Sequence, residues 1–449
     1  MIDTISIKKR ILEMAISGQF SNQDIENETS FSYVQEVSRR LNGTEFTELP
    51  ETEIIPFSIP NNWCWCRLSD IGTTNIGLTY HPEDVVLEGI PIMRSSNIVN
   101  NKMDYSDLVS VNCDVREKQY LNKGDILICA RNGSKTLVGK CAIYDGEIGQ
   151  TAFGAFMAAF RSDCNEYLYL FFQTKAFRRY FENDNNKQIN QVTQKILKDA
   201  VVPIPPLAEQ RRIVERVNAV FDVLDTIDEL QSAYSSDLEV LKSKIIDAGI
   251  QGKLTEQLPE DGNAEDLYAA IQEEKARLIK EKKIKKSKAL PEITEDEIPF
   301  EIPDNWKWVR LGNIISISSG QGLTSSQMIE GDIPVFGGNG ITGYHNQSLV
   351  NKETVVIGRV GVYCGSVHIT PPKAWITDNA FITTFPEEYV DRDYLALALK
   401  QMHLGGNTNG AAQPVVSGKK IYPMLFPLPP FSEQIRIVEK IDNILGAIS

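Results

Sequence analysis

"PIPPLAEQRRIVERV" (203–217) returns near the other end of the chain as "PLPPFSEQIRIVEKI" (427–441), with nine of fifteen positions identical. A proline pair blocks helix before it, and an acidic residue suits a first helical turn. Each copy therefore reads as a fixed start of a helix, at about Glu209 and Glu433. Two more pairs follow the same order. "KKRILEMAISGQF" (8–20) parallels "KSKIIDAGIQGKL" (242–254), with Gly18 and Gly252 aligned. "IPFSIPNNWCWCRLSDI" (55–71) parallels "IPFEIPDNWKWVRLGNI" (298–314), with eleven identities in seventeen. Three pairs in one order mean a single unit used twice.

In the middle of the chain the helix start of one unit fuses to the helix end of the next. From Glu209 to Ile250, apolar residues recur in steps of three and four: Ile213, Val217, Val220, Leu224, Ile227, Leu230, Tyr234, Leu238, Leu241, Ile245 and Ala248. That is a heptad seam with no proline or glycine before Gly249. Helix over this stretch is a rod of roughly 60 Å, and so long a seam needs a partner helix. Ser432–Ser449 supplies the start of one and Ile5–Ser17 its end, which leaves a gap opposite about Thr226–Asp237. The alternative is a continuous distal helix cut short. Each connector carries a further helical stretch, "FSYVQEVSRRL" (31–41) and "AEDLYAAIQEEKARLIKEKKIKKSK" (264–288). The second ends in a lysine run, read either as a solvated helix end or as a phosphate contact.

A chain of 449 residues with 42% apolar and 24% charged side chains implies two to four globular domains. No run of eighteen apolar residues occurs and the N-terminus lacks a signal-like core, so the expected location is cytoplasmic with no membrane partner. The net charge of −14 argues against nucleic acid only if taken whole. Residues 56–200 hold 16 basic and 16 acidic side chains, and 298–424 hold 9 and 10, so −13 of the −14 lies in the helical and connecting segments. The seven cysteines are odd in number without a C-x2-C or C-x4-C pair, and the four histidines are scattered. Metal binding gains no support. Cys64 and Cys66 in "WCWC" read as alternate positions of a strand.

The two globular segments read as short strands with glycine- and asparagine-rich turns, each closing with a helix, "EYLYLFFQTKAFRRYF" (166–181) and "RDYLALALKQM" (392–402). The fold class is α+β: two globular α/β domains separated by long antiparallel coiled-coil helices, with an internal twofold repeat. "GNGITG" (338–343) matches the dinucleotide string G-x-G-x-x-G, but polar turn and strand follow it where a helix is required. No G-x4-G-K-[ST] phosphate loop and no Asn/Asp-Pro-Pro-aromatic tetrapeptide occurs. Catalysis is not expected, so there is no catalytic or metal set. Arg, Lys, Asn and Gln on loops do stand out, because these side chains make the bidentate contacts that distinguish base edges in the major groove. The DNA-binding candidates are Arg94, Asn97, Arg131, Asn132, Lys135 and Gln191 in the first segment. In the second they are Asn339, Tyr344, His345, Arg359, Asn379 and Asn409. Turn formation is the competing reading of each one singly. Ile213, Val217, Leu224, Ile227, Leu238, Ile437 and Ile441 are the candidates for coiled-coil packing and subunit docking.

The paired Pro-x-Pro-Pro-x-x-Glu-Gln-x-x-Ile-Val helices, the Trp-x-Trp-x-x-Leu openings and "FGGNGITGYHN" (336–346) resemble the specificity (S) subunits of type I restriction–modification systems, over essentially the whole chain. The resemblance implies two target-recognition domains, 56–202 and 298–426, each reading half of a split sequence in double-stranded DNA. It implies helical regions at 1–20, 203–254 and 427–449, joined through connectors 21–55 and 255–297. Partners would be methyltransferase subunits, two of them, and restriction subunits. S-adenosylmethionine, ATP and Mg would be used by those partners, with no cofactor bound by this chain. Two other classes stand beside it: a coiled-coil protein-interaction scaffold, and a single-chain restriction or methyltransferase enzyme.

Overall fold

A computed structural model describes residues 1–20, 29–50, 53–182, 191–281, 289–361, 363–406 and 415–448. It divides into two units, Met1–Ala233 and Tyr234–Ser449, and the central helix Leu207–Ile250, 44 residues long, belongs to both. No helix among the described residues is long and apolar enough to cross a membrane.

Each unit closes where it opens. The strand Cys64–Arg67 pairs antiparallel with Val201–Ile204, so that Trp65 faces Pro203. Lys307–Arg310 pairs in the same way with Leu425–Leu428, and Trp308 faces Pro427. The Trp-x-Trp openings and the Pro-Pro exits are thus two halves of one two-stranded clasp. The Glu-Gln that follows explains itself in the same place. Trp63 Nε1 donates to Glu209 Oε2 at 2.9 Å, and Trp306 Nε1 donates to Glu433 Oε2 at 2.9 Å, both buried. Gln210 and Gln434 turn back to donate to the Pro205 and Pro429 carbonyls. Tyr167 and Tyr394 hydroxyls donate to the Pro203 and Pro427 carbonyls, at 2.9 Å each. A buried carboxylate without partners would be costly, so each Glu is fixed by its Trp as much as the reverse.

Between opening and exit lie two small sheets per unit, joined in the first unit by a two-stranded ribbon, Ile98–Val99 with Lys102–Met103. In the first, Thr73–Ile76, Met157–Arg161, Ile126–Cys129 and Cys141–Ile143 form an antiparallel sheet in that order. A second sheet runs Ala152–Phe153, Ile90–Met93, Val109–Val111, Val85–Val86, with the first pair parallel. The second unit repeats the plan with Ser316–Ser319, Ala380–Thr384, Val355–Gly358 and Val367–Ile369. Its smaller sheet is Gly340–His345, Ile333–Gly337 and Trp375–Ile376, the last pair again parallel. "WCWC" is the opening strand, with Cys66 buried. "GNGITG" is a hairpin turn and the strand after it.

The single helix expected over 166–181 is two, Asn165–Phe172 and Lys175–Glu182. The buried Thr174 hydroxyl donates to the Phe171 carbonyl at 2.7 Å, taking an acceptor that a continuing helix would use. The connector stretches form helices Ser30–Asn42 and Ala264–Lys280, while most of the lysine run, 282–288, lies outside the described residues.

In the first unit the N-terminal helix Thr4–Ile16 runs antiparallel to the central helix. Thr4 bonds Asp228, Lys8 bonds Asp225, and the Phe20 ring lies against Arg216. Ile11, Leu12, Ala15 and Ile16 share a core with Ile213, Val217 and Leu224. In the second unit the C-terminal helix Phe431–Ala447 packs on the end of the central helix, also antiparallel. Glu433 bonds Thr255 and Gln257, and a Cβ on Gly249 would come within 2.7 Å of Ile441. The aligned glycines end their helices alike. Gly18 and Gly252 are left-handed (φ 73° and 71°), and the next N–H donates back to Met14 and Ala248 carbonyls.

Ile11, Leu12 and Ile16 contribute on the order of 5 kcal/mol of apolar burial. Deleting residues 2–17 is therefore expected to lower the melting midpoint of the first unit while leaving the second unchanged. Calorimetry checks this; an unaltered first transition would mean that the helix does not stabilise the seam.

Candidate nucleic-acid interface

In each unit, strands of both sheets end in one cluster of loops, and most of the described candidates lie there. In the first unit, Arg131–Gly133 follows the strand Ile126–Cys129, and Arg94–Ser96 follows Ile90–Met93. Arg94, Arg131, Asn132 and Lys135 converge on one cleft of about 1050 Å³, with Tyr80 and Phe156 on its apolar side. Among the described residues no acidic side chain lines it. In a chain of net charge −14, a cleft whose described lining holds three cations, two of them (Arg131 and Lys135) without an ion-pair partner among the described residues, is a local positive site.

The cations differ in freedom. Arg94 Nη2 is held by the Asp107 carboxylate at 2.8 Å and its carbonyl at 3.1 Å. Arg131 is exposed, and its guanidinium lies 5.9 Å from the centre of the Phe156 ring and makes no side-chain hydrogen bond or ion pair among the described residues. Lys135 is exposed as well. Asn132 donates to Ser95 Oγ at 3.1 Å and accepts from the Ser134 N–H, tying the two loops together. Gln191 is exposed and bridges the backbone of Arg131.

Asn97 is corrected by the structure. It is fully buried, its amide donates to the Asp104 and Asp107 carbonyls, and its oxygen accepts from the Arg94 N–H. Every hydrogen of that amide is committed to the turn, so Asn97 positions Arg94 and offers no edge to a base. His345 is corrected likewise. It is 4% exposed, its Nδ1 accepts from the Ile329 N–H, and its ring meets the edge of Trp375.

In the second unit Asn339, Arg359 and Asn379 come to one place. Asn339 is exposed at the hairpin tip between Ile333–Gly337 and Gly340–His345. A Cβ on Gly338 would lie 2.7 Å from the Val360 carbonyl oxygen and 3.3 Å from that of Asn379, so three loops touch through glycine backbone. The Arg359 N–H donates to the Asn379 carbonyl, and its guanidinium stacks on Phe381 while reaching Ser319 Oγ and the Asp378 carbonyl. Beneath the tip, Gly340 (φ 90°) sits on His368. Burial, followed by the charge of Lys400, holds that imidazole below its ordinary range, so it supports the turn as a neutral ring. Tyr344 is exposed on the hairpin strand, and Asn409 lies outside the described residues.

The docking candidates divide in the same way. Ile213, Val217, Ile437 and Ile441 are wholly buried, and Leu224 nearly so, within the chain's own cores; Ile227 and Leu238 are half-buried. Buried side chains hold helices together but give a partner nothing to touch, so as docking residues those five are corrected. The large apolar side chains left open on the central helix are Leu207, Val223, Leu230, Tyr234, Val240 and Leu241. Leu230 and Tyr234 fall in the expected gap. Sequence reading missed Phe156, 63% exposed, because "AFGAFMAAF" looks like uninterrupted core.

Residues 60–233 and 303–449 match the type I restriction modification DNA specificity domain, once in each unit. The specificity subunit of the type I restriction enzyme EcoAI of Escherichia coli is 25% identical, over 99% of this chain and 90% of its own. A putative type I specificity subunit, MjaX of Methanocaldococcus jannaschii, is 28% identical over 86% and 87%. A chain solved in work on complex assembly and conformational transition of a type I R-M system shares the fold, at TM-score 0.61 and 18% identity over 88% of this chain and 92% of that one.

Proposed function

This chain belongs to the family of type I restriction–modification DNA specificity domains, and on that premise we propose that it reads a split sequence in double-stranded DNA, one half with each unit. The carrying observation is the pair of exposed loop clusters on equivalent strand ends, one of them a cationic cleft lined by no acidic side chain among the described residues. The chain makes and breaks no bonds itself. It docks methyltransferase subunits, two of them, and restriction subunits; S-adenosylmethionine, ATP and Mg are theirs to use. Partner subunits supply much of the phosphate contact that dominates affinity, which is how near-neutral recognition segments bind DNA.

The test is a DNA mobility shift across salt concentrations, with and without methyltransferase subunits. Binding is expected to fall steeply with salt and to strengthen with the partner. Absence of any DNA complex in both conditions would favour a protein-binding scaffold. Methyl transfer by the pure chain would favour a single-chain enzyme.

A further inference from the structure

Resting on that reading, we infer that one backbone bridge, present in both units, sets which base edge each unit recognises. The two units can be aligned by strand pairing alone. Ile126 pairs with Ile143 as Val355 pairs with Ile369, and Cys129 pairs with Met157 as Gly358 pairs with Ala380. Two residues past each strand end, the backbone makes an isolated antiparallel bridge. It joins Arg131 to Gln191 in the first unit and Val360 to Val415 in the second. The flanking hydrogen bonds match too: Val192 N–H donates to the Ala130 carbonyl, and Val416 N–H to that of Arg359, at 2.9 Å each. Position 131 therefore corresponds to 360, and 191 to 415.

Residues directly opposite in an antiparallel pair project to the same side. The first unit thus presents a guanidinium beside a carboxamide, and the second presents two isopropyl groups on the same backbone. Arg131 and Gln191 are exposed, and Val415 is 42% exposed. Val360 is half-buried, and core packing does not account for the first pair or for Val415. Their chemistry suits different bases. Arg donates two parallel bonds to guanine O6 and N7, Gln pairs with adenine N6 and N7, and apolar groups contact the thymine methyl. Phe156, under the Arg131 guanidinium, limits the orientations of that fork before DNA arrives. In the second unit the arginine stands one residue earlier, at 359, so it leaves the opposite side and leans on Phe381 and Ser319. The first unit reads purines by bidentate hydrogen bonds at this bridge, and the second reads thymine by methyl contact.

The test offers the full chain, purified with its methyltransferase subunits, a pool of duplexes with randomised cores and sequences what is retained. The wild type should return a motif with two defined halves; failure to do so overturns the DNA-reading proposal and this inference with it. Given a split motif, Arg131→Val with Gln191→Val should lose purine preference by roughly 5- to 100-fold at one or two adjacent positions of one half. Thymine should gain there. Val360→Arg with Val415→Gln should trade thymine for purine in the other half only. Arg131→Lys, which keeps the charge without the planar fork, should retain overall binding and weaken the preference at one position. This exposed conservative change decides the matter if a double variant fails to fold. Unaltered base preferences with the split motif intact overturn the inference and leave the DNA reading standing.

Discussion

Replacing Glu433 with alanine is expected to lower the melting midpoint of the second unit by roughly 6–20 °C, with the first unit unmoved. The Glu433 carboxylate is fully buried and accepts three hydrogen bonds, from Trp306 Nε1, Thr255 Oγ1 and Gln257 Nε2, each at 2.9 Å. Removing it strands the buried Trp306 indole N–H and takes the charged acceptor from the half-buried Thr255 and the exposed Gln257, at a cost of about 3–5 kcal/mol. In a unit of this size each kcal/mol moves the midpoint by about 2–4 °C. Glu433→Gln keeps an oxygen for the indole but turns an amide nitrogen toward other donors, so an intermediate loss is expected. Glu209→Ala should act on the first unit through Trp63 in the same manner. Calorimetry with both transitions resolved checks this. A shift below about 2 °C for Glu433→Ala would mean that the Trp–Glu clasp does not hold the unit together.

The second large effect is expected at Gly358. A Cβ there would lie 2.1 Å from the Gly338 carbonyl oxygen and 2.7 Å from Ser366 Oγ. No side-chain rotation relieves a clash with backbone, so Gly358→Val must push the 337–340 hairpin tip away from 358–361. The cost is about 3 kcal/mol or more. Asn339 and Arg359 ride on those two loops, so the half-site read by the second unit should lose its base preferences while the other half is retained. Sequencing of bound duplexes, with circular dichroism as the check on folding, measures both. Preserved preferences in both halves would mean that the loop cluster at Gly338 takes no part in recognition.

The frame was legible because its devices are local and repeated. Proline pairs fix a helix start, the alternation in "WCWC" fixes a strand, and a left-handed glycine fixes a helix end, each within a few residues. What joins them is not local. Trp63 and Glu209 stand 146 positions apart, and the sequence showed both without showing that one bonds the other. The candidate sites were legible only as types. Arg131, Asn132 and Lys135 reach the cleft with Arg94, whereas Asn97 and His345, alike in composition, are spent on holding loops. Asparagine serves turns as readily as ligands, and only burial separates the two uses. The heptad seam was right in period, but its buried members proved to be the chain's own core. The open ones, Leu230, Tyr234 and Leu241, differ from them in nothing that periodicity records.

Mapping methylated adenines across a genome, with and without this chain beside its methyltransferase subunits, tests the central claim most directly. The account predicts that methylation dependent on the chain falls on one motif of two defined halves around an unspecified spacer. It further predicts that exchanging residues 56–202 for those of a relative changes one half alone. A contiguous motif, a change in both halves on that exchange, or methylation indifferent to the chain would contradict it.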